Sequence, residues 1–231
     1  MINNPWQKVR KYLWLCLPCL IFPVIALLGV LVFPEKAFAF VTLAATILAT
    51  VPMFVRFERG KTDAGELVLI AAMTALSVVG RMAFSPVPGF KPVTAMAVIT
   101  AMYFGSEAGF LTGALSAVIS NFYFGQGPWT PFQMFSWGIL GLIAGFLADR
   151  LKKNRWWLLL FGAFSGILYS LLMDVYTVLW ADGYFNIKRY LAAIFSSAYF
   201  TAVYAVSNVV FLLLFAKPIG KVLDRIKSKF F

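Results

Sequence analysis

Residues 123–145 read YFGQGPWTPFQMFSWGILGLIAG, and the two halves of this stretch ask for different things. The first half packs Gly125, Gln126, Gly127, Pro128, Trp129, Thr130, Pro131 and Gln133 between two apolar segments. It predicts a kinked, hydrogen-bonding, aromatic loop at a membrane boundary, suited to cover a small molecule. The second half spaces Gly138, Gly141 and Gly145 by three and four residues, which on a helix makes one smooth face for close approach of a second backbone.

Working outward, the 231 residues are 61% hydrophobic and only 13% charged, with mean hydropathy +0.85. No soluble core of this size hides that much apolar side chain, so the chain is an integral membrane protein. Crossing about 30 Å of hydrocarbon takes about 20 residues. Eight apolar segments meet or approach that length: 12–33, 37–57, 65–84, 92–105, 108–124, 131–149, 156–180 and 190–216. The fourth and fifth are short, divided only by Gly105, Ser106 and Glu107, which predicts tilted or partly re-entrant helices. The first is too long for a signal peptide and shows no cleavage site. The fold class is therefore all-α, a polytopic membrane helix bundle.

With the N-terminus inside, the inner segments hold 15 of the 20 cations, leaving Lys36, Arg81, Lys91, Lys188 and Arg189 outside. That bias satisfies the positive-inside rule for an even number of spans with both termini cytoplasmic. The net charge of +11 is then topology plus attraction to anionic lipid, not nucleic-acid binding. In the basic tail, Ile219, Val222, Leu223, Ile226 and Phe230 recur at helical spacing, readable as a short amphipathic helix on the inner leaflet or as a solvated stop-transfer tail.

Catalytic groups are scarce: there is no His, no G-x-S-x-G, no H-E-x-x-H and no phosphate-binding Gly-rich loop. Cys16 and Cys19 read as apolar fillers, since no further Cys or His completes a metal or redox site. An enzyme is not expected, nor a metal or cofactor. Polar groups inside the spans must pair or line a watery cavity. Asp174 either pairs with Arg81 across the bundle or touches a ligand directly. Asn121 precedes the aromatic loop and can face a pocket roofed by Tyr123, Gln126, Trp129 and Gln133, whereas Asn208 reads as a bond between helices. Tyr176 follows Asp174, and the loop at 85–92 adds a second rim with Phe90 and Lys91. Trp129 suits ligand stacking or an interfacial belt equally, and Trp137 and Trp180 fit such a belt. Segment three carries Ala71, Ala72 and Ala75, a small-residue face where another helix can dock.

These features together resemble the substrate-binding S components of energy-coupling factor (ECF) transporters. The resemblance covers 64–216 and rests on the Ala71/Ala75 face, on KPVTAMAVITAMYFGSEAGFLTGALSAVISNF, and on GQGPWTPFQM with its glycine-faced helix. It implies a six-helix core at 64–216, two extra N-terminal transmembrane helices within 1–63, and a basic cytoplasmic tail at 217–231. It further implies a prokaryotic plasma membrane, a vitamin captured from outside, and three partner chains: a transmembrane coupling subunit, docked through Ala71, Ala72 and Ala75, and two ATP-binding subunits. The substrate-binding residues would be Arg81, Phe90, Lys91, Asn121, Tyr123, Gln126, Trp129, Gln133, Asp174 and Tyr176. The amide- and aromatic-rich rim and the N-terminal addition rank cobalamin first, riboflavin or another flat vitamin next, and anionic folate after them. An ion-coupled secondary transporter working through Asp174 is the alternative from another class, and a scaffold without a ligand is a third.

Overall fold

The computed structural model describes residues 64–230, together with six helical positions at 44, 47, 50, 51, 54 and 55. Segment 12–33, with Cys16 and Cys19, lies outside the described residues, as does most of 37–57. Seven helices follow from residue 64: α1 (Ala64–Ala83), α2 (Val93–Phe104), α3 (Ser106–Phe124), α4 (Trp129–Phe146), α5 (Ala148–Lys153), α6 (Arg155–Asp182) and α7 (Ile187–Phe230). Six of them match the six expected segments, and α5 is a short basic addition between α4 and α6. Among the described residues, α1, α6 and α7 are long and apolar enough to cross a membrane on their own.

At 12 residues α2 is about 18 Å long, too short to span. It is apolar on every side, and a helix of that kind belongs in an interior. All ten residues from Val93 to Met102 are buried. The short fourth segment is thus a core helix wrapped by its neighbours. Gly105, at φ +93°, turns the chain directly from α2 into α3.

The glycine face read from the sequence packs α4 onto α3. A Cβ on Gly141 would stand 2.3 Å from the Gly109 carbonyl oxygen, and one on Gly113 would stand 2.4 Å from the Trp137 carbonyl oxygen. Gly145 meets the Ser106 backbone in the same way. Backbone against backbone leaves no room for side chains, so dispersion and close contact hold this pair where lipid offers no hydrophobic driving force. At the described position 54, Phe54 packs on the cluster of Phe110, Ala114 and Leu142 along that seam.

A polar seam joins α6 to α7. Ser197 Oγ donates to Asp174 Oδ2 at 2.7 Å, Thr201 Oγ1 to Ser170 Oγ at 2.6 Å, and Asn208 Nδ2 to the Gly162 carbonyl at 3.2 Å. Asn208 therefore bonds helix to helix, as expected. The turn between the two helices is closed by Arg189 and Asp182 at 2.6 Å. The basic tail does not start a helix of its own. Residues 217–230 continue α7 through Pro218, because Ile219, Leu223 and Ile226 pack on the main core.

The helices sort the functional groups to two ends. The C-terminal ends of α1, α3 and α6 meet the N-terminal ends of α2, α4 and α7 at one end. At the other lie α5, the start of α6 and the cationic end of α7.

Candidate functional site

A buried polar network at the first end ties four helices together. Arg81 Nη1, near the end of α1, donates to Ser120 Oγ and, at 3.0 Å, to Asn121 Oδ1 on α3. The Asn121 amide nitrogen donates to Thr130 Oγ1 at 2.9 Å and to Gln133 Oε1 at 2.8 Å on α4. Gln133 in turn faces the Tyr169 side chain on α6. Asn121 is 1% exposed, and its oxygen and both amide hydrogens find partners, as a buried amide requires.

An aromatic cage sits beside this network. Trp137 and Tyr169 stack with centroids 4.9 Å apart and planes 7° from parallel, and Tyr204 meets Tyr169 edge-on at 5.1 Å. Lys91 Nζ stands 5.0, 5.1 and 4.8 Å from the Trp137, Tyr169 and Tyr204 ring centres. The Arg81 guanidinium lies over Phe124 at 4.6 Å and Trp137 at 5.1 Å. Both distances suit attraction between a cation and a ring face. Burial, with Arg81 adding to it, pushes the Lys91 ammonium down to about 7. Its backbone is fixed too: Lys91 N donates to Ser207 Oγ at 2.8 Å, and that hydroxyl donates back to the Lys91 carbonyl at 3.1 Å. The result is a guanidinium and a readily deprotonated lysine framed by stacked rings and amides, a setting for a hydrogen-bonding ligand or one with negative charge.

Of the residues expected from the sequence, the structure brings Arg81, Lys91, Asn121 and Gln133 to this place. The others stand apart from it or at its edge. Phe90 packs against Phe84 and Phe211 and holds the 84–92 loop to α7. Gln126 braces its own loop: its amide donates to the Val118 carbonyl at 2.8 Å, and its oxygen accepts from Thr130 at 2.9 Å. Trp129, 36% exposed, folds its ring against Gly127. Tyr123 is exposed and sets its ring edge-on to Phe124. Tyr176 belongs to a neighbouring cluster with Phe132 and Trp180.

Two expectations need correction. Asp174 does not pair with Arg81: the carboxylate takes Ser197 on α7, and the guanidinium takes Ser120 and Asn121 on α3. Trp137 is no belt residue. It is 1% exposed, because it lies one turn beyond Gln133 on the inward face of α4. Trp180 remains exposed, as a belt would have it. Tyr169, Tyr204 and Ser120 were not among the expected site residues, since an aromatic or hydroxyl group inside an apolar run gives no sign of where it points.

Ala71, Ala72 and Ala75 are exposed on α1. Beside them an apolar groove of about 920 Å³ runs between α1 and the end of α7, lined by Val68, Ala72, Leu76, Val222 and Ile226 among others.

A family model described as ECF-type riboflavin transporter, S component, matches residues 61–225, which is most of the chain. No curated protein and no solved structure matches it.

Proposed function

Because the chain belongs to the S components of ECF-type transporters, we propose that it is the subunit that captures a vitamin at the outer face of the membrane and passes it inward. Delivery takes place with a transmembrane coupling subunit and two ATP-hydrolysing subunits. The observation that carries the binding role is the network from Arg81 through Asn121 and Gln133 to Tyr169, set against the Lys91 cage. Such groups are rare inside a bilayer, pair with one another there, and mark ligand sites or pathways. The charge bias of the sequence puts both termini in the cytoplasm and this end outside.

Two vitamins are put forward. Cobalamin suits the rim, where the exposed Tyr123 and Trp129 stand beside an amide-bearing loop. Riboflavin is the substrate named in the description of the matching family. The test is the thermal midpoint of the purified protein against cobalamin, riboflavin, folate, thiamine, biotin and pantothenate. A ligand at a hundred times its Kd adds about 2.7 kcal/mol to the folded state, so one vitamin should raise the midpoint while the rest leave it unchanged. No shift with any of them sinks the reading. Uptake that survives loss of the ATPases but stops when the proton gradient is dissipated would instead favour ion coupling through Asp174.

The exposed alanines and their groove form the docking face for the coupling subunit. Ala71→Trp and Ala75→Trp should leave the isolated protein's vitamin affinity within about twofold and reduce uptake in cells to background, because an indole holds helices apart where small residues allow contact. Loss of vitamin binding by a folded variant would refute this division of roles.

A further inference from the structure

At the end of the bundle opposite the vitamin site, three cations from three helices converge on one cleft of about 120 Å³: Lys152 from α5, Arg155 from α6 and Lys217 from α7. No carboxylate lines it. Its floor is apolar, with Leu158, Leu212 and Ala216 buried beneath the charges. The lining runs on to Leu159 and Leu213, the latter 36% exposed on the flank of α7. Trp156 and Trp157, 79% and 53% exposed, follow Arg155 in the first turn of α6 and suit a membrane interface.

We propose that this cleft is a binding site for the phosphate headgroup of an anionic phospholipid. Lys152, Arg155 and Lys217 hold the phosphate, and an acyl chain lies along the Leu159 and Leu213 flank. The two requirements of such a ligand occur side by side here. A group with negative charge needs an excess of cations around it, and a chain attached to it needs an apolar exit into the bilayer. Basic pockets between helices at the inner leaflet are where anionic headgroups bind.

Other features support the assignment. Lys152 Nζ sits 4.2 Å over the Tyr103 ring, so it is already held at the cleft before any anion arrives. Burial, then the charge of Lys227, pushes the Lys152 ammonium below its usual range, against the opposite pull of Asp224 and Asp149. A bound phosphate would relieve that cost. Lys227 stands at the cleft's edge, donating to the Tyr103 carbonyl at 2.8 Å. The site does not depend on which vitamin is carried, or on whether one is.

The experiment measures binding of fluorescent phosphatidylglycerol to the full chain purified in neutral detergent, with phosphatidylcholine and inorganic phosphate as comparisons. Each Lys or Arg near a lipid headgroup is worth about 1 kcal/mol, so Lys217→Gln should weaken phosphatidylglycerol roughly fivefold. The combined Lys152→Gln, Arg155→Gln and Lys217→Gln variant should weaken it roughly a hundredfold. Lys188→Gln, at the other end, should change nothing. Lys217 is exposed, so its single variant keeps the test open if the combined one fails to fold. Equal affinity for phosphatidylcholine, or unchanged phosphatidylglycerol affinity in Lys217→Gln and in any folded combined variant, would overturn the site. Inorganic phosphate binding as tightly as the lipid would overturn the lipid as its source.

Discussion

Gly141→Ala should lower the thermal midpoint of the purified protein by up to about 8 °C, whereas Gly162→Ala should leave it nearly unchanged. Both put the same methyl group on a helix buried against another, and both gain about 1 kcal/mol of helix propensity over glycine. What differs is the neighbour. At Gly141 the new Cβ would stand 2.3 Å from the Gly109 carbonyl oxygen, a backbone atom that moves only if α3 moves. At Gly162 its nearest neighbour is a Leu212 methyl at 2.7 Å, the tip of a side chain that can rotate away. Overpacking of a tight core costs about 1–3 kcal/mol, and for a protein of this size each kcal/mol moves the midpoint by roughly 2–4 °C. Equal midpoints for the two variants would mean that α3 and α4 are not in backbone contact.

The second large effect is on binding. Asn121→Ala should weaken the vitamin by about 30-fold to 100-fold. Trp129→Ala should weaken it by only about threefold, because that ring leans on its own loop at Gly127. Removing the Asn121 amide takes an acceptor from Arg81 and donors from Thr130 and Gln133 at once. A buried polar group left without its partner costs about 1–3 kcal/mol, more when charged, and every 1.4 kcal/mol is tenfold in affinity. The readouts are Kd by titration and the midpoint without ligand. A folded Asn121→Ala variant with the parental Kd would move the site elsewhere in the bundle.

Hydropathy carried the six apolar helices, since lipid demands long apolar runs, but not the basic α5 or the extension of α7, and the glycine spacing carried the α3 and α4 contact because only small residues allow it. Asn121 and Gln133 were legible for a related reason: amides flanking a loop rich in glycine and proline have few other uses. The partner of Asp174 was not legible. Both charged groups lie at the same end, but a sequence gives depth along a span without the direction each side chain faces, and Ser197 proved nearer. Trp137 was within reach, being four residues after Gln133 and four before Gly141, so on their face of α4. Tyr169 and Tyr204 had no such signpost, each standing alone in an apolar run.

The enclosure of α2 from Val93 to Met102 also constrains how the chain is made. Its walls come from both directions in the sequence: Ala95, Met96 and Ile99 share a core with Leu69 and Met73 upstream and with Phe211 and Leu212 far downstream. Synthesis runs from the N-terminus, so residues 93–104 leave the ribosome more than a hundred residues before Phe211 exists. Until then this segment, too short to bridge the bilayer and joined to the next by one glycine, has no finished place to rest. Completion of the interior therefore waits on the last helix, and a chain cut short before it would leave the proposed vitamin site without Tyr204 and its central helix without one wall.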